Sequence, residues 1–373
     1  MNFEEYAAKP LLKAAGITVP DGALATAADG AASEAERLGP CVVKAQVPTG
    51  KRGKAGGIAL AETPEEARAE AARILGMEIA GHTVEKVLVE QQVPIATELY
   101  AAVLNDSGTK GPLLLFSSEG GMDIEEIAEN HPDKLLRLPV DIRKGLDKAA
   151  LQSALPPVAG AEPAALADTL AKLYEAYIEN DAELMEINPL VVTKDGAMVA
   201  LDCKFALDDS AISRHEALAA NGAPDKLTDL EQQGQEIGFK YIELDGNVGV
   251  LSNGAGLTMT TMDAISHYGG EPANFLEIGG NAFTLGKQAL EVVLGNSRVK
   301  SLIINFCGAI ARTDVMTGGV LEAWDAVDPQ VPVFWSLGGT GEDEARALLK
   351  AKLGIDPYPT MDDAVKAAVE AAK

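Results

Sequence analysis

The 373-residue sequence is poor in cysteine, aromatic side chains and positive charge. Its three cysteines, Cys41, Cys203 and Cys307, lie far apart without metal-ligand spacing, which argues against a disulfide framework and favours a reducing compartment. No apolar run reaches the roughly 20 residues of a transmembrane helix, and no signal peptide is recognisable. A net charge of −25 argues against a nucleic-acid partner. We therefore expect a soluble, cytoplasmic protein with no membrane partner.

Familiar catalytic motifs are also missing. The sequence has no G-x-S-x-G, and none of its four histidines has a cysteine or histidine partner at ligand spacing. A Walker A loop is excluded in the basic segment 42–57, VVKAQVPTGKRGKAGG, because Pro48 replaces its first glycine and Ala55 its hydroxyl residue. A nucleotide held by this segment would therefore need another kind of phosphate loop.

Lys44 ends an apolar run directly before this glycine-rich segment. A lysine at a strand end, beside a flexible basic loop, suits contact with nucleotide phosphates through its charge and nearby backbone N–H groups. An exposed basic hairpin tip is the alternative interpretation of the same residues. Taken alone, the segment favours that alternative.

A second candidate functional segment is residues 183–204, ELMEINPLVVTKDGAMVALDCK. Its pattern predicts a hairpin that turns at 194–196. Asn188 and Asp202 stand at similar distances from this turn, so we expect them to face each other across the strand pair. One carboxylate and one amide oxygen, together with phosphate and water, suit Mg²⁺. A solvated aspartate and a turn-capping asparagine are the alternative.

Two glutamates, Glu90 and Glu98, flank the segment QQVPIAT, in which Val93 is a candidate for adenine recognition through its backbone. A strand that runs into a loop leaves N–H and C=O groups available for such contacts. For both glutamates the alternative is a solvated sheet edge.

The two halves of the chain have different patterns. The first 205 residues predict an α+β fold with antiparallel hairpins, beginning with a helix capped by Asn2 and Glu5 and stopped at Gly16. Residues 206–237 are polar and mostly helical, as in a linker. From about residue 241, strands alternate with helices, which predicts a doubly wound parallel sheet. The predicted strands are 248–252, 273–278, 299–306 and 331–337, and the predicted helices are 255–268, 284–295, 313–327, 341–353 and 361–372.

Ligands of such sheets bind at the carboxyl ends of the strands. Two loops of small residues occupy that position, namely SNGAGLT at 252–258 and NFCGAIAR at 305–312. The first opens a helix, whose initial N–H groups form an anion site. Together the two loops are better support for a ligand site than either alone.

Nearly end to end, the chain resembles the β subunits of succinyl-CoA synthetases and related nucleoside-diphosphate-forming acyl-CoA ligases. The resemblance is carried by NFEEYAAKPLL, VVKAQV with RGKAGG, LVE with IATELY, SEGGMDIEEIAE, MEINPLVVT, LDGNVG with NGAGLTMTTMD, and GGEPANFLEIGG. It implies an N-terminal ATP-grasp fold over residues 1–237, linker included, followed by a flavodoxin-like CoA-ligase domain over 238–373.

The resemblance also implies a role for each matched residue. The nucleotide-phosphate contacts are matched by Lys44, Arg52, Gly53 and Glu98, and the adenine and hinge contacts by Glu90 and Val93. The Mg²⁺ ligands are matched by Asn188 and Asp202, and the acid that meets a phosphohistidine by Glu186. The contacts to the carboxylic acid are matched by Asn253, Ala309, Ile310 and Ala311. Lys44 and Arg52 would stabilise charge on the transferring phosphoryl group together with Mg²⁺.

The implied reaction needs an α subunit, in an αβ or α2β2 assembly, that carries the histidine and most of the CoA site. ATP, favoured over GTP, phosphorylates this histidine; the phosphoryl group then activates a carboxylic acid, and CoA captures the acyl phosphate. Without the α subunit this chain is expected to be inactive. A stand-alone ATP-grasp carboxylate–amine ligase and a non-catalytic partner subunit are alternatives of other classes.

Several residues depart from the family pattern. Lys51 replaces a usual glycine before Arg52, and Cys203 replaces the glycine that usually follows the metal-binding aspartate. The substrate loop contains Ala309 where glycine is usual and Ala311 where a larger side chain is usual, which reshapes the acid pocket. Succinate is the favoured acid; malate, another dicarboxylate or a substituted acid are alternatives.

Overall fold

A computed structural model describes residues 1–121, 124–125, 129, 132–223, 226–278 and 285–373. The chain divides into two compact units, Met1–Asp225 and Lys226–Lys373, whereas the sequence suggested a boundary at 237/238. Helix Asp229–Ile237 belongs with the second unit, because Glu231 on this helix accepts a hydrogen bond from the backbone N of Glu243 at 3.0 Å. The polar composition of this helix had suggested a linker.

The first unit contains helices and strands in mixed order. Its helices are α1 Glu5–Ala14, α2 Ala28–Leu38, α3 Pro64–Ile74, α4 Lys148–Ala154, α5 Pro163–Glu179 and α6 Glu216–Ala219. Its strands are β1 Gly22–Ala25, β2 Cys41–Ala45, β3 Ile58–Ala61, β4 Glu78–Ile79, β5 His82–Thr83, β6 Val87–Gln91, β7 Ile95–Asp106, β8 Gly111–Ser117, β9 Leu135–Pro139, β10 Ala182–Thr193, β11 Met198–Ala200 and β12 Lys204–Leu207. Short 3₁₀ turns lie at Pro132–Lys134 and Asp209–Arg214.

These elements form two lobes. In the smaller lobe, four antiparallel strands run in the order β1-β6-β2-β3, and helices α2 and α3 bury their alanine-rich faces on the sheet. In the larger lobe, antiparallel strands run in the order β11-β10-β7-β8-β9, with β12 also paired to β10. The largest core of the chain lies between this sheet and helices α1, α4 and α5. The antiparallel α+β character expected for this half is confirmed.

The second unit contains helices α7 Asp229–Ile237, α8 Ala255–His267, α9 Gly286–Gly295, α10 Thr313–Val327, α11 Glu342–Leu353 and α12 Met361–Ala372. Its strands are β13 Tyr241–Glu243, β14 Val248–Asn253, β15 Asn274–Ile278, β16 Ser301–Gly308 and β17 Val333–Gly339, in the sheet order β13-β15-β14-β16-β17. All are parallel except the edge strand β13. One face packs on α7, α9, α10 and α11, and the other on α8 and α12, so the sheet is doubly wound as expected.

Local sequence explains where several helices begin. Thr63, Thr228 and Thr360 each accept a hydrogen bond from a backbone N–H in the first turn of α3, α7 and α12. The expected cap of α1 is wrong, however, because this helix begins at Glu5 without a side-chain cap. Glu5 is buried instead, and its carboxylate faces cations described below. In the described ranges, no helix is both long and apolar enough to cross a membrane.

Candidate functional site

Lys44 lies at the inner end of β2, in the smaller lobe, and its ammonium group points toward the larger lobe. Its Nζ lies 2.7 Å from Glu90 Oε2 and 3.0 Å from Glu5 Oε1, and donates to the backbone O of Leu201 at 2.6 Å. Burial alone would lower the pKa of Lys44, but Glu5 and Glu90 raise its pKa above the ordinary value. The exposed-tip alternative is therefore wrong for Lys44, which is a buried cation held by carboxylates.

Arg52 follows the same strand by way of a tight loop. Its Nη1 donates to the backbone O of Ala45 at 2.9 Å, and its Nη2 lies 2.8 Å from both carboxylate oxygens of Asp202. The loop returns at Gly57, whose N donates to the backbone O of Arg52 at 2.9 Å. A Cβ at Gly57 would lie 2.7 Å from Ile79 Cδ1, 3.1 Å from Ala45 Cβ and 3.2 Å from the backbone O of Arg52, so a larger residue would require these neighbours to shift. This loop thus places the buried guanidinium of Arg52 between the two lobes.

Lys51 stands in the left-handed region with φ of 63°, where glycine is favoured. A glycine would adopt this backbone conformation without the steric cost that a lysine side chain meets. The lysine side chain and Gly53 line the same cavity of about 320 Å³, together with Arg52 and Asp202. Gly53 thus lines the same cavity as Arg52, and its contact with phosphate stays a prediction.

Glu5 and Lys9 on α1 were not recognised as site residues from the sequence. Lys9 Nζ lies 2.7 Å from Glu5 Oε1 and 2.6 Å from Glu90 Oε1, and donates to the backbone O of Leu201 at 2.9 Å. Burial alone would raise the pKa of Glu5, but Lys44, Lys9 and Arg52 lower it well below its usual range. A charged pair spaced i, i+4 usually marks a solvated helix face, so the sequence offered no signal for this buried pair.

Asn188 and Asp202 lie opposite each other in the β10 region, as predicted. Leu190 pairs with Ala200 on one side of them and Glu186 pairs with Lys204 on the other, so the register continues through this stretch. The hairpin turn is also confirmed at Gly196, whose N donates to the backbone O of Thr193 at 2.9 Å. Both side chains line the same cavities as Arg52.

The donor set of Asn188 and Asp202 fits Mg²⁺, which commonly takes one or two protein oxygens and completes its shell with phosphate and water. Asn188 Oδ1 accepts from the backbone N of Gly121 at 2.9 Å, and Asp202 Oδ1 accepts from the backbone N of Cys203 at 2.8 Å. These contacts orient both oxygens within the cleft. In the described ranges, no group of three or more histidine, cysteine, aspartate or glutamate side chains is arranged to hold a metal, so phosphate and water would have to complete the shell here.

Glu186 lies two residues before Asn188 on the same face of β10 and lines the same cavities. The hydroxyl of the buried Tyr100 donates to Glu186 Oε2 at 3.1 Å. Burial raises the pKa of Glu186, and nearby Lys204 lowers it only in part. The carboxylate is therefore fixed in orientation and ready to exchange hydrogen bonds with a group that enters the cleft.

Next to the cation cluster, a largely apolar cavity of about 440 Å³ opens between the lobes of the first unit. Glu90 and Val93, the predicted adenine and hinge contacts, both line it, and Lys44 closes one end. Its remaining walls carry mostly apolar and amide side chains, namely Pro20, Val42, Ile58, Leu60, Gln91, Gln92, Ile95, Pro189 and Leu201, with Asn188 and Asp202 at the polar end. An apolar slot that leads to cations suits a base attached to a phosphate chain.

Glu98 is the one predicted phosphate contact that the structure does not bring to this cluster. It is exposed on β7, where it pairs with Val191, and it is absent from the described residues that line these cavities. Its backbone O accepts from the N of Gly120 at 3.0 Å. Its carboxylate faces Gly121, beside Asn188 rather than beside Lys44.

In the second unit, Asn253 lies at the carboxyl end of β14 and joins it to the neighbouring strand β16. Its Nδ2 donates to the backbone O of Cys307 at 3.0 Å, and its Oδ1 accepts from the N of Cys307 at 2.8 Å. The 309–311 loop follows directly, closed by a hydrogen bond from Ala309 N to Ala311 O at 3.1 Å, and Ile310 at its tip is fully exposed. The sheet edge therefore brings Asn253 and the 309–311 loop together, and their contact with a carboxylic acid stays a prediction.

Comparisons with known proteins agree with this architecture. The ATP-grasp domain family matches residues 2–192, and the CoA-ligase family matches residues 251–370. The ADP-forming succinate–CoA ligase β subunit of Chloroflexus aurantiacus is 44% identical over 381 residues, covering 100% of this chain and 99% of that protein. The GDP-forming β subunit of Thermus thermophilus is 44% identical over 380 residues, covering 99% of this chain and 98% of that protein. The ATP citrate lyase of Methanothrix soehngenii shares the fold, with a TM-score of 0.73, 24% identity and 99% of each chain covered.

Proposed function

The chain belongs to the family of succinate–CoA ligase β subunits, and from this premise we propose that it supplies the nucleotide site of such a ligase. The observation that carries the proposal is the convergence of Lys44, Arg52, Glu186, Asn188 and Asp202 on one cleft in the first unit. The alternative of a stand-alone carboxylate–amine ligase loses its support, because the second unit matches the CoA-ligase family.

The nucleotide is expected to place its base in the apolar cavity beside Val93 and its phosphates against Lys44 and Arg52. Buried cations in a low-dielectric cleft stabilise charge that develops on a transferring phosphoryl group more strongly than cations in water do. Both ADP-forming and GDP-forming β subunits are among the relatives. We propose ATP as the preferred nucleotide.

Asn188 and Asp202 would hold Mg²⁺. When bound there, the ion would neutralise phosphate charge and fix the orientation of the phosphate chain. Arg52 must then leave Asp202 and pair with phosphate. Its planar guanidinium allows this, because it can donate to two phosphate oxygens at once.

Glu186 is proposed to receive a histidine of the α subunit. A carboxylate that accepts a hydrogen bond from one ring nitrogen fixes the tautomer and leaves the other nitrogen free to take the phosphoryl group. Tyr100 orients Glu186 for this contact through its hydroxyl. The stoichiometry that we propose is αβ or α2β2, with CoA bound mainly by the α subunit.

The acid substrate is proposed to bind between Asn253 and the 309–311 loop, at the carboxyl ends of β14 and β16. Succinate is the favoured acid. The small side chains of Ala309 and Ala311 leave malate or another substituted dicarboxylate as a second candidate.

A phosphoryl-transfer assay tests this proposal. The full chain is co-purified with its α subunit and given Mg²⁺ and γ-labelled ATP, and acid-labile label on the α subunit is measured. We expect rapid labelling that Glu186→Gln slows by at least about 100-fold, within the range of one lost acid–base contact. Glu183→Gln, on the exposed neighbouring position of β10, serves as the matched control and should label normally. Equal labelling by both variants would show that Glu186 has no role in phosphoryl transfer to the α subunit.

A further inference from the structure

Arg52 is in contact with the carboxylate of Asp202, which is proposed to hold the metal ion. Its Nη2 lies 2.8 Å from both oxygens of Asp202, and Arg52 is buried whereas Asp202 is about one-third exposed, with a side-chain exposure of 32%. Such charge-assisted contacts are stronger and less screened by salt than surface ion pairs. A divalent cation that approaches Asp202 therefore meets a positive charge already in contact with both of its oxygens.

Asp202 has little spare capacity while this contact persists. Its Oδ1 also accepts from the backbone N of Cys203 at 2.8 Å, so three hydrogen bonds use a group with about four lone-pair directions. One lone-pair direction remains, but the positive charge of Arg52, in contact with both oxygens, repels a divalent cation there, so tight metal binding requires Arg52 to withdraw.

Arg52 can withdraw at low cost only if another anion receives it. Its Nη2 lies 2.8 Å from Glu5 Oε2, but Glu5 also serves Lys44 and Lys9 and is not a free partner. A nucleotide phosphate is such an anion, and the planar fork of arginine matches phosphate oxygens. When phosphate and metal arrive together, Arg52 pairs with phosphate and Asp202 pairs with the metal, so no buried charge is left without a partner.

We propose that Arg52 and the divalent cation compete for Asp202, so that metal and nucleotide each bind weakly alone and tightly together. Metal alone displaces Arg52 and leaves it only Glu5, which Lys44 and Lys9 already share, and nucleotide alone draws Arg52 away from an unpaired Asp202. By linkage, each ligand must then strengthen the other by the same factor. This inference rests on the proposed function, because it assumes that phosphates bind beside Arg52.

The first test measures metal binding without nucleotide. Mn²⁺ is titrated into the full chain and followed by electron paramagnetic resonance. Arg52→Gln removes the competing charge and is expected to tighten Mn²⁺ binding by about tenfold, within the usual range of coupling between sites. Arg52→Lys keeps a positive charge near Asp202 and should stay near the wild-type affinity. Arg143→Gln removes an exposed arginine elsewhere in the first unit and should change nothing.

The second test measures nucleotide binding without metal. ADP is titrated into the full chain in the presence of EDTA and followed by calorimetry. Asp202→Asn frees Arg52 from its carboxylate and is expected to tighten ADP binding by about tenfold. Glu186→Gln removes a nearby negative charge without releasing Arg52, so it should give a smaller increase. Asp195→Asn, at the exposed turn of the same hairpin, should have no effect.

The outcomes separate the two levels of the proposal. If wild-type protein binds Mg²⁺ and ADP together but neither variant gains affinity for the single ligand, the competition is wrong and the proposed function stands. If wild-type protein does not bind ADP even with Mg²⁺, the proposed function is wrong and the competition falls with it. Should Arg52→Gln fail to fold, as judged by thermal unfolding, the Asp202→Asn measurement decides.

Discussion

Replacing Lys9 with methionine tests whether the buried charge network holds the two lobes of the first unit together. Lys9 lies on α1, which packs with the larger lobe, and its ammonium group reaches Glu90 on β6 of the smaller lobe at 2.6 Å. It also lies 2.7 Å from Glu5. Methionine keeps the length of the side chain but removes the charge, so two buried carboxylates must then share the remaining cations.

The expected loss follows from the burial of all three side chains, Lys9, Glu5 and Glu90. Removing one partner of a buried ion pair costs about 3–5 kcal/mol, because the other charge stays behind uncompensated. For a unit of this size, each kcal/mol lowers the melting temperature by roughly 2–4 °C, so we expect a decrease of roughly 6–20 °C. The loss should be nearly the same at low and high salt, since buried pairs are poorly screened.

Differential scanning calorimetry of the full chain measures this loss. Lys148→Met breaks an exposed pair with Asp168 and should cost no more than about 1 kcal/mol, as surface pairs do. Lys9→Met combined with Glu90→Gln should cost less than the two single losses together, because it removes both charges of one contact. A loss below about 1 kcal/mol for Lys9→Met, or strict additivity with Glu90→Gln, would show that the network does not stabilise the contact between the lobes.

Three further predictions concern the phosphate loop and the second unit. Gly57→Ala should cost about 1–3 kcal/mol of stability and weaken nucleotide binding, because its Cβ would lie 3.1 Å from Ala45 Cβ and 3.2 Å from the backbone O of Arg52, and Ile79 would have to move. Gly50→Ala, with nothing within 4 Å of the new Cβ, should be neutral in chemical denaturation, and equal effects would contradict the packing argument. Lys51→Gly relieves a left-handed backbone and should raise the free energy of unfolding by up to about 1 kcal/mol while changing nucleotide affinity more than acid selectivity. The reverse order of effects in steady-state kinetics would mean that this loop is misplaced. Burial raises the pKa of Tyr241 to about 12, so the second unit should lose stability as the pH rises from about 10 to about 12. Tyr241→Phe should flatten that part of the stability profile, and an unchanged slope would exclude this tyrosine as the cause.

The sign of the alkaline effect follows from proton counts. In the unfolded chain, Tyr241 loses its proton near pH 10, whereas in the folded chain it keeps the proton until about pH 12. Between these values the unfolded state binds fewer protons, so stability falls with rising pH.

Most of the second unit was predictable because its signals are local. Buried parallel strands read as short apolar runs, and the predicted helix 313–327 has the observed bounds. The hairpin that carries Asn188 and Asp202 was equally accessible, since its turn and register follow from glycine placement and alternation along the strands.

What the sequence could not reveal depends on contacts between distant segments. Lys9 and Glu5 read as an ordinary helical pair, although in the structure they meet Glu90 and Lys44 from the other lobe. The pairing of Arg52 with Asp202 joins residues that no local pattern relates. Glu98 is predicted at the phosphates because of its place in a motif, and no pattern in the sequence indicates that its carboxylate lies against Gly121, which lines the same cavity as Arg52.

We propose that this chain provides the nucleotide site of an acyl-CoA ligase that uses succinate. The most direct measurement follows CoA thioester formation by the chain co-purified with its α subunit, with Mg²⁺, ATP and a panel of succinate, malate and acetate. We expect that succinyl-CoA forms fastest and that Asp202→Asn abolishes formation of every thioester. Wild-type rates with Asp202→Asn, or no thioester from any dicarboxylate, would contradict it.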